Sequence, residues 1–216
     1  MALRFVLDPD LTPELRAEIV ALWVDVSNAG GAVGFVPPVT PADVHRLAGP
    51  TFTGIIDGPD RLLVGYAAER LTAMLIFGDN RFHLKTHWCV LKRVMVHPDT
   101  QGRGYGLDLM REAERVGREL GHEALHLTVR DGLGLDRFYR RLGYREIGRL
   151  PGALRVAAGD DRDEILMWRN LTGTSIDGAA TTAGRAPAQA VSRPDQLARP
   201  DQQARAAAGR AGPLSA

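Results

Sequence analysis

Apolar positions along this chain recur with two periods, and each change of period marks an element. Leu15, Ile19, Leu22, Trp23 and Val26 fall on one face of a helix. It opens at Thr12-Pro13, a cap residue followed by a first-turn proline, and ends at Asn28-Ala29-Gly30-Gly31. Thr40-Pro41-Ala42-Asp43 has the spacing of a capping box and predicts a second helix, which Gly49-Pro50 is expected to break early. Strand-like runs cover Leu3–Leu7, then Arg61–Ala68 and Thr72–Phe77 as an antiparallel pair, then the longer Trp88–Val96. A helix over Gly104–Leu120 turns Leu107, Met110, Ala113 and Leu120 inward. Beyond it come a strand at Ala124–Val129, a short helix at Leu133–Leu142, and closing strands at Tyr144–Gly148 and Glu164–Trp168. The order β-α-α-β-β-β-α-β-α-β-β predicts an α/β fold, with a mixed, mostly antiparallel central sheet and helices on both faces.

Composition divides the chain in two. From residue 172 to Ala216 there is no aromatic residue, and Arg193-Pro-Asp-Gln-Leu-Ala is nearly repeated by Arg199-Pro-Asp-Gln-Gln-Ala. Such a segment has too little apolar surface to offset its ordering entropy, so 172–216 is expected to be a disordered Ala/Arg/Pro-rich tail and 1–171 the folded domain. Apolar residues make up 44% of the chain, enough for a packed core, and the net charge of +1 points to neither nucleic acid nor a membrane surface. Cys89 is the single cysteine, which excludes an intrachain disulfide. The N-terminal apolar run is too short for a signal peptide, and no run approaches the roughly 20 apolar residues of a membrane span. A soluble, cytoplasmic protein is expected, with a homodimer left open.

Chemistry concentrates between Arg93 and Leu107. An apolar strand ends at Pro98, a polar turn follows, and glycines at 102, 104 and 106 lead into an amphipathic helix. Glycines let backbone N–H groups turn inward without obstruction, and the helix adds its unpaired first-turn donors and dipole. Together they form a cradle for a diphosphate. A dinucleotide fingerprint would need its third glycine at position 107, which is Leu, and a P-loop would need Gly-Lys-Ser/Thr, which is absent. The spacing Gln101-x-x-Gly104-x-Gly106 resembles the acyl-coenzyme-A loop of the GNAT N-acetyltransferases, and the element order resembles theirs. That resemblance implies acetyl-CoA as co-substrate, held by Val94, Met95 and Val96 on the strand and by Gln101, Gly102, Arg103, Gly104, Tyr105, Gly106 and Leu107. The backbone of Val94 and Val96 would pair with the pantetheine arm, and an N–H near Val96 would face the thioester oxygen as it gains charge.

Phe138-Tyr139-x-x-Leu142-Gly143-Tyr144 is similar to a second family segment, whose first tyrosine faces the CoA sulfur. A thiolate leaves there, and with a thiol near ~8.5 and a phenol near ~10, proton transfer from Tyr139 is modestly uphill. Tyr139 is therefore the expected general acid. No carboxylate stands among Val90, Lys92 and Val94 on the fourth strand, so His126 on the next strand is the expected base by its pKa, ahead of His97, Asp99 and Glu69. No metal site is expected. Several short segments resemble the tabtoxin-resistance type of acetyltransferase: Gly30–Phe35, Val94-Met-Val, Ala124–Leu127 and Gly148–Gly152. This implies a small, amino-acid-like or antibiotic amine as acceptor, a role in toxin or antibiotic resistance, and an acceptor pocket flanked by Phe35, Thr128 and Leu150-Pro151-Gly152. Acetylation of a protein lysine or N-terminus, and a non-catalytic acyl-CoA-binding module, are the alternatives.

Overall fold

The computed structural model describes residues 2–173, all within the first of the two units into which the chain divides, Met1–Gly178. The tail expected from residue 172 therefore lies, past Gly173, outside the described residues. Eleven principal elements follow the expected order: β1 (Arg4–Leu7), α1 (Pro13–Asn28), α2 (Pro41–Ile56), β2 (Arg61–Ala67), β3 (Arg70–Gly78), β4 (Trp88–Val96), α3 (Tyr105–Glu119), β5 (Ala124–Arg130), α4 (Leu135–Arg141), β6 (Arg145–Ala157) and β7 (Asp160–Asn170). The strands form one sheet in the order β1-β2-β3-β4-β5-β7-β6. Every neighbouring pair is antiparallel except β4 and β5, which run parallel.

Two apolar cores sandwich this sheet. Trp23 and Ile19 of α1 and Val44 of α2 pack on Leu62, Met74, Ile76 and Met95. On the opposite face Leu109, Met110 and Ala113 of α3, with Tyr139 and Tyr144, cover Leu75, Leu125 and Leu127. Helix starts are secured as their residues predict. Thr12 accepts the N–H of Leu15 at 3.3 Å, and Thr40 and Asp43 make a reciprocal capping box.

Two expectations are corrected. Pro50 does not break α2, which continues to Ile56. Phe52 beyond the proline is buried against the sheet, and that anchorage outweighs the lost backbone bond. The closing strand expected over Tyr144–Gly148 does not stop at Gly148: β6 takes in Pro151-Gly152, runs to Ala157 and pairs with β7 as a long hairpin. Because β6 is the last strand of the sheet, the proline's missing N–H costs no ladder bond on its outer edge.

Candidate functional site

β4 and β5 share a register only from Trp88↔Ala124 to Val90↔His126. Past Val90 the strands diverge, leaving the β5-facing edge of β4 without a strand partner over the rest of its length. The cause lies in β4 itself. Between Met74 and Ile76 of β3 its register shifts, and Arg93 adopts φ 53°, the left-handed conformation that side chains other than glycine rarely take. This bulge reverses the alternation of the strand. Cys89 and Leu91 before it, and Val94 and Val96 after it, meet the α3 side of the sheet, whereas Met95 joins the core under α1 and α2. Val94 thus does not share a face with Val90 and Lys92, contrary to simple alternation.

A cleft of about 610 Å³ fills the divergence. One end is the glycine loop. Gly102 and Gly104 have φ of 80° and 87°, and a Cβ built at either meets nothing within 4 Å, so both open onto free space. Gly104 caps α3 with no side-chain bond to the first turn, so the N–H groups of Tyr105, Gly106 and Leu107 keep their donors. Asp108 N–H closes the helix onto Gly104 O at 3.0 Å. Left-handed glycines, free donors and the positive end of a fifteen-residue helix suit a diphosphate. Gln101, Gly102, Gly104 and the first turn of α3 line the cleft; Arg103 does not. Val94 and Val96 line it as well, while Met95 turns its side chain into the core.

Tyr139 reaches the same cleft from α4, at 6% exposure, its ring edge-on to Phe138 and Tyr144. Burial pushes its phenol well above the ordinary value, so it carries its proton throughout the neutral range and gives it up to a thiolate less readily than an ordinary phenol would. Tyr144 is buried and its hydroxyl has no partner, consistent with a packing role. Cys89 lies on the core side of β4, 1% exposed, and burial pushes its thiol up to about 12. A thiol held protonated makes no nucleophile.

Thr128 lines the cleft, but two other expected residues do not. Phe35 packs edge-on against Trp23 at 5.8 Å instead of facing the opening. The wall it was expected to supply is made by Gly31, Ala32 and Val33. That wall is pinned by Trp23 Nε1 donating to Val33 O at 2.9 Å, and by Asn28 bonding both backbone groups of Val39 at 2.8 and 2.9 Å. His126 does not line the cleft either. It sits among the Trp88 and Trp168 rings, with Nδ1 3.0 Å from Met167 O. A carbonyl only accepts, so Nδ1 carries the proton, and the ring is held as a packed strand residue away from the splay. The Leu150-Pro151-Gly152 segment lies on the edge hairpin, also outside the cleft. Among the described residues, no carboxylate or histidine lines the cleft.

Sequence reasoning passed over Arg93. Its signal was a pair of cations, Lys92-Arg93, in an otherwise apolar strand, which interrupts alternation where the bulge falls.

A seven-stranded sheet split by a β4 bulge, with a glycine loop capping the next helix and a tyrosine entering from α4, defines the acyl-CoA N-acyltransferase fold. The profile of the Acetyltransferase (GNAT) family matches residues 35–144, just over half of the chain, and the chain belongs to that family. Among curated relatives, Elongator complex protein 3 of Dictyostelium discoideum is 31% identical over 105 residues, 44% of this chain. The chain spans only 18% of that relative's length. Among solved structures, a proposed acetyltransferase of Salmonella typhimurium, yncA, with its cofactor acetyl-CoA, aligns at TM-score 0.62 and 20% identity, over 81% of this chain and 97% of its own. A proposed phosphinothricin N-acetyltransferase aligns at TM-score 0.63 and 20% identity, over 78% and 99%. These likenesses of fold extend well beyond the segment the family profile matches.

Proposed function

We propose that this acetyltransferase moves an acetyl group from acetyl-CoA to the primary amine of a small, amino-acid-like molecule, by direct attack in a ternary complex. The observation that carries the reading is the form of the cleft. Its acceptor end is walled by the pinned Gly31–Val33 segment, which favours a compact pocket over an open groove for a peptide. The segments resembling tabtoxin-resistance acetyltransferases support a small acceptor, and a detoxifying role accords with it. We assign catalysis to residues 1–171.

Each group then has a task. Gly102, Gly104 and the first turn of α3 would hold the diphosphate, and the open edge of β4 from Val94 to Val96 would align the pantetheine arm. The thioester supplies an activated acyl group. Tyr139 donates its proton to the departing sulfur, and the buried Cys89 takes no part, which favours direct attack over an acyl-enzyme. With no side-chain base in the cleft, the amine loses its proton to water at the acceptor end. The rate is then governed by the fraction of free amine.

The test is thiol release from acetyl-CoA with a panel of amino acids, amine antibiotics and lysine-containing peptides. Release with small amines alone, at kcat/KM values climbing with pH toward the acceptor's own pKa, is the expected result. Release with peptides alone would replace this reading by protein acetylation.

A further inference from the structure

Two cations line the acceptor side of the cleft, and the fold treats them differently. Lys92 runs across Gly78, where any Cβ would sit 2.1 Å from its Cε, to reach Asp60 at 3.2 Å. Asp60 is buried and also accepts the N–H of Asp79 at 3.0 Å, so this charge is neutralised in place. Arg93 has no such partner. Among the described residues no carboxylate lies within 4.0 Å of its guanidinium and no hydrogen bond is made to it. Its one close interaction is with the face of the Trp23 ring, 4.7 Å from the centroid. Gly34 closes over it so tightly that a Cβ there would stand 3.1 Å from Nη1.

Such an arrangement is costly unless it has a use. A half-buried guanidinium without a counter-charge is destabilising, and burial already lowers its affinity for the proton. The left-handed backbone at Arg93 adds strain. The contact with the Trp23 ring satisfies none of its N–H groups, which remain without an acceptor and suit a planar oxyanion. Position then separates the possible anions. Arg93 lies over a residue of the α1–α2 core, whereas α3 and the diphosphate cradle belong to the opposite side of the sheet. The guanidinium therefore serves the acceptor, not the phosphates.

We propose that Arg93 is the anion anchor of the acceptor site, so that the amine acetylated here carries a carboxylate-type oxyanion on the same small molecule. This rests on the small-amine reading above and names the second group the acceptor must have. A bidentate guanidinium–carboxylate pair would orient the amine toward the thioester and supply the counter-charge the fold withholds.

The experiment uses the full chain saturated with coenzyme A, the common α-amino acids, and the carboxamide of each. In protein labelled with 15N-arginine, the Arg93 Nε–H resonance, assigned by its absence in R93K, should shift saturably with at least one free acid and not with its carboxamide. In transfer assays that acid should exceed its carboxamide in kcat/KM by about 10- to 100-fold. R93M should bring the two to similar rates while acetyl-CoA affinity is retained. The carboxamide has the more weakly basic, more readily deprotonated amine, so a preference for the acid cannot come from nucleophilicity. A resonance indifferent to every acid overturns the anchor, as does an R93M enzyme that keeps the full preference. If R93M does not fold, the resonance in the native protein decides. A shift without acetyl transfer upholds the anchor and defeats the small-amine reading; transfer without a shift does the reverse.

Discussion

At the scale of single residues, burial sets the ionisation of two side chains, Tyr139 and Cys89. Tyr139 is held protonated by its apolar surroundings and faces the cleft. Tyr139→Phe keeps the ring packing on Phe138 and Tyr144 but removes the proton. Turnover should fall by about 100-fold, with acetyl-CoA affinity unchanged by calorimetry; undiminished turnover would remove Tyr139 from the mechanism. Cys89 gives a pH prediction of definite sign. Its thiol is raised by burial first and by Asp79 second, from 9.0 to about 12. Once unfolded it ionises near pH 9, while the folded protein keeps the proton, so this contribution is complete below 9 and is lost as pH climbs toward 12. Between pH 8 and 10.5, urea unfolding should show the native protein losing about 2 kcal/mol more than Cys89→Ala. Parallel losses would mean the thiol is not shielded. Tyr139 and the loop glycines were legible because each stands in a short sequence motif. Phe35 and His126 were not, because whether a side chain meets a cleft depends on what packs beside it: Trp23 in one case, Trp88 and Trp168 in the other.

Among elements, the turn into α3 is where the proposed diphosphate cradle lies, and its glycines are not equivalent. Gly104 needs φ 87° and borders open space, so Gly104→Val imposes left-handed strain and places a branched side chain in the cradle. Acetyl-CoA affinity should drop at least about tenfold. Gly106 has no such conformation, and a Cβ there meets Phe138 Cζ at an ordinary 3.5 Å, so Gly106→Ala serves as a control with near-native affinity. Calorimetric titration of both variants is the measurement, and equal affinities would argue against a cradle at Gly104. Element order was readable throughout from periodicity and caps. Element ends were less so where a local breaker met a tertiary anchor. Phe52 carries α2 past Pro50, and the outer position of β6 accommodates Pro151 within a strand.

At the scale of the molecule, the cleft exists because a parallel pair, β4 and β5, is allowed to part within a sheet otherwise paired along its length. Two separate cores, one on each face, keep the sheet in place while its centre opens. Among the described residues, no helix is long and apolar enough to cross a membrane.

The sequence by itself determined the succession of helices and strands and the glycine-spaced turn into α3. These depend on neighbours within a few residues: periodicity, caps and glycine torsions act locally. Only the tertiary structure decided which side chains share the cleft. One extra residue at the Arg93 bulge reverses the facing of all that follow in β4, and it leaves a guanidinium without a counter-charge in the lining of the cleft. Pairing register, splay and charge compensation join residues far apart in the chain, and no local pattern encodes them.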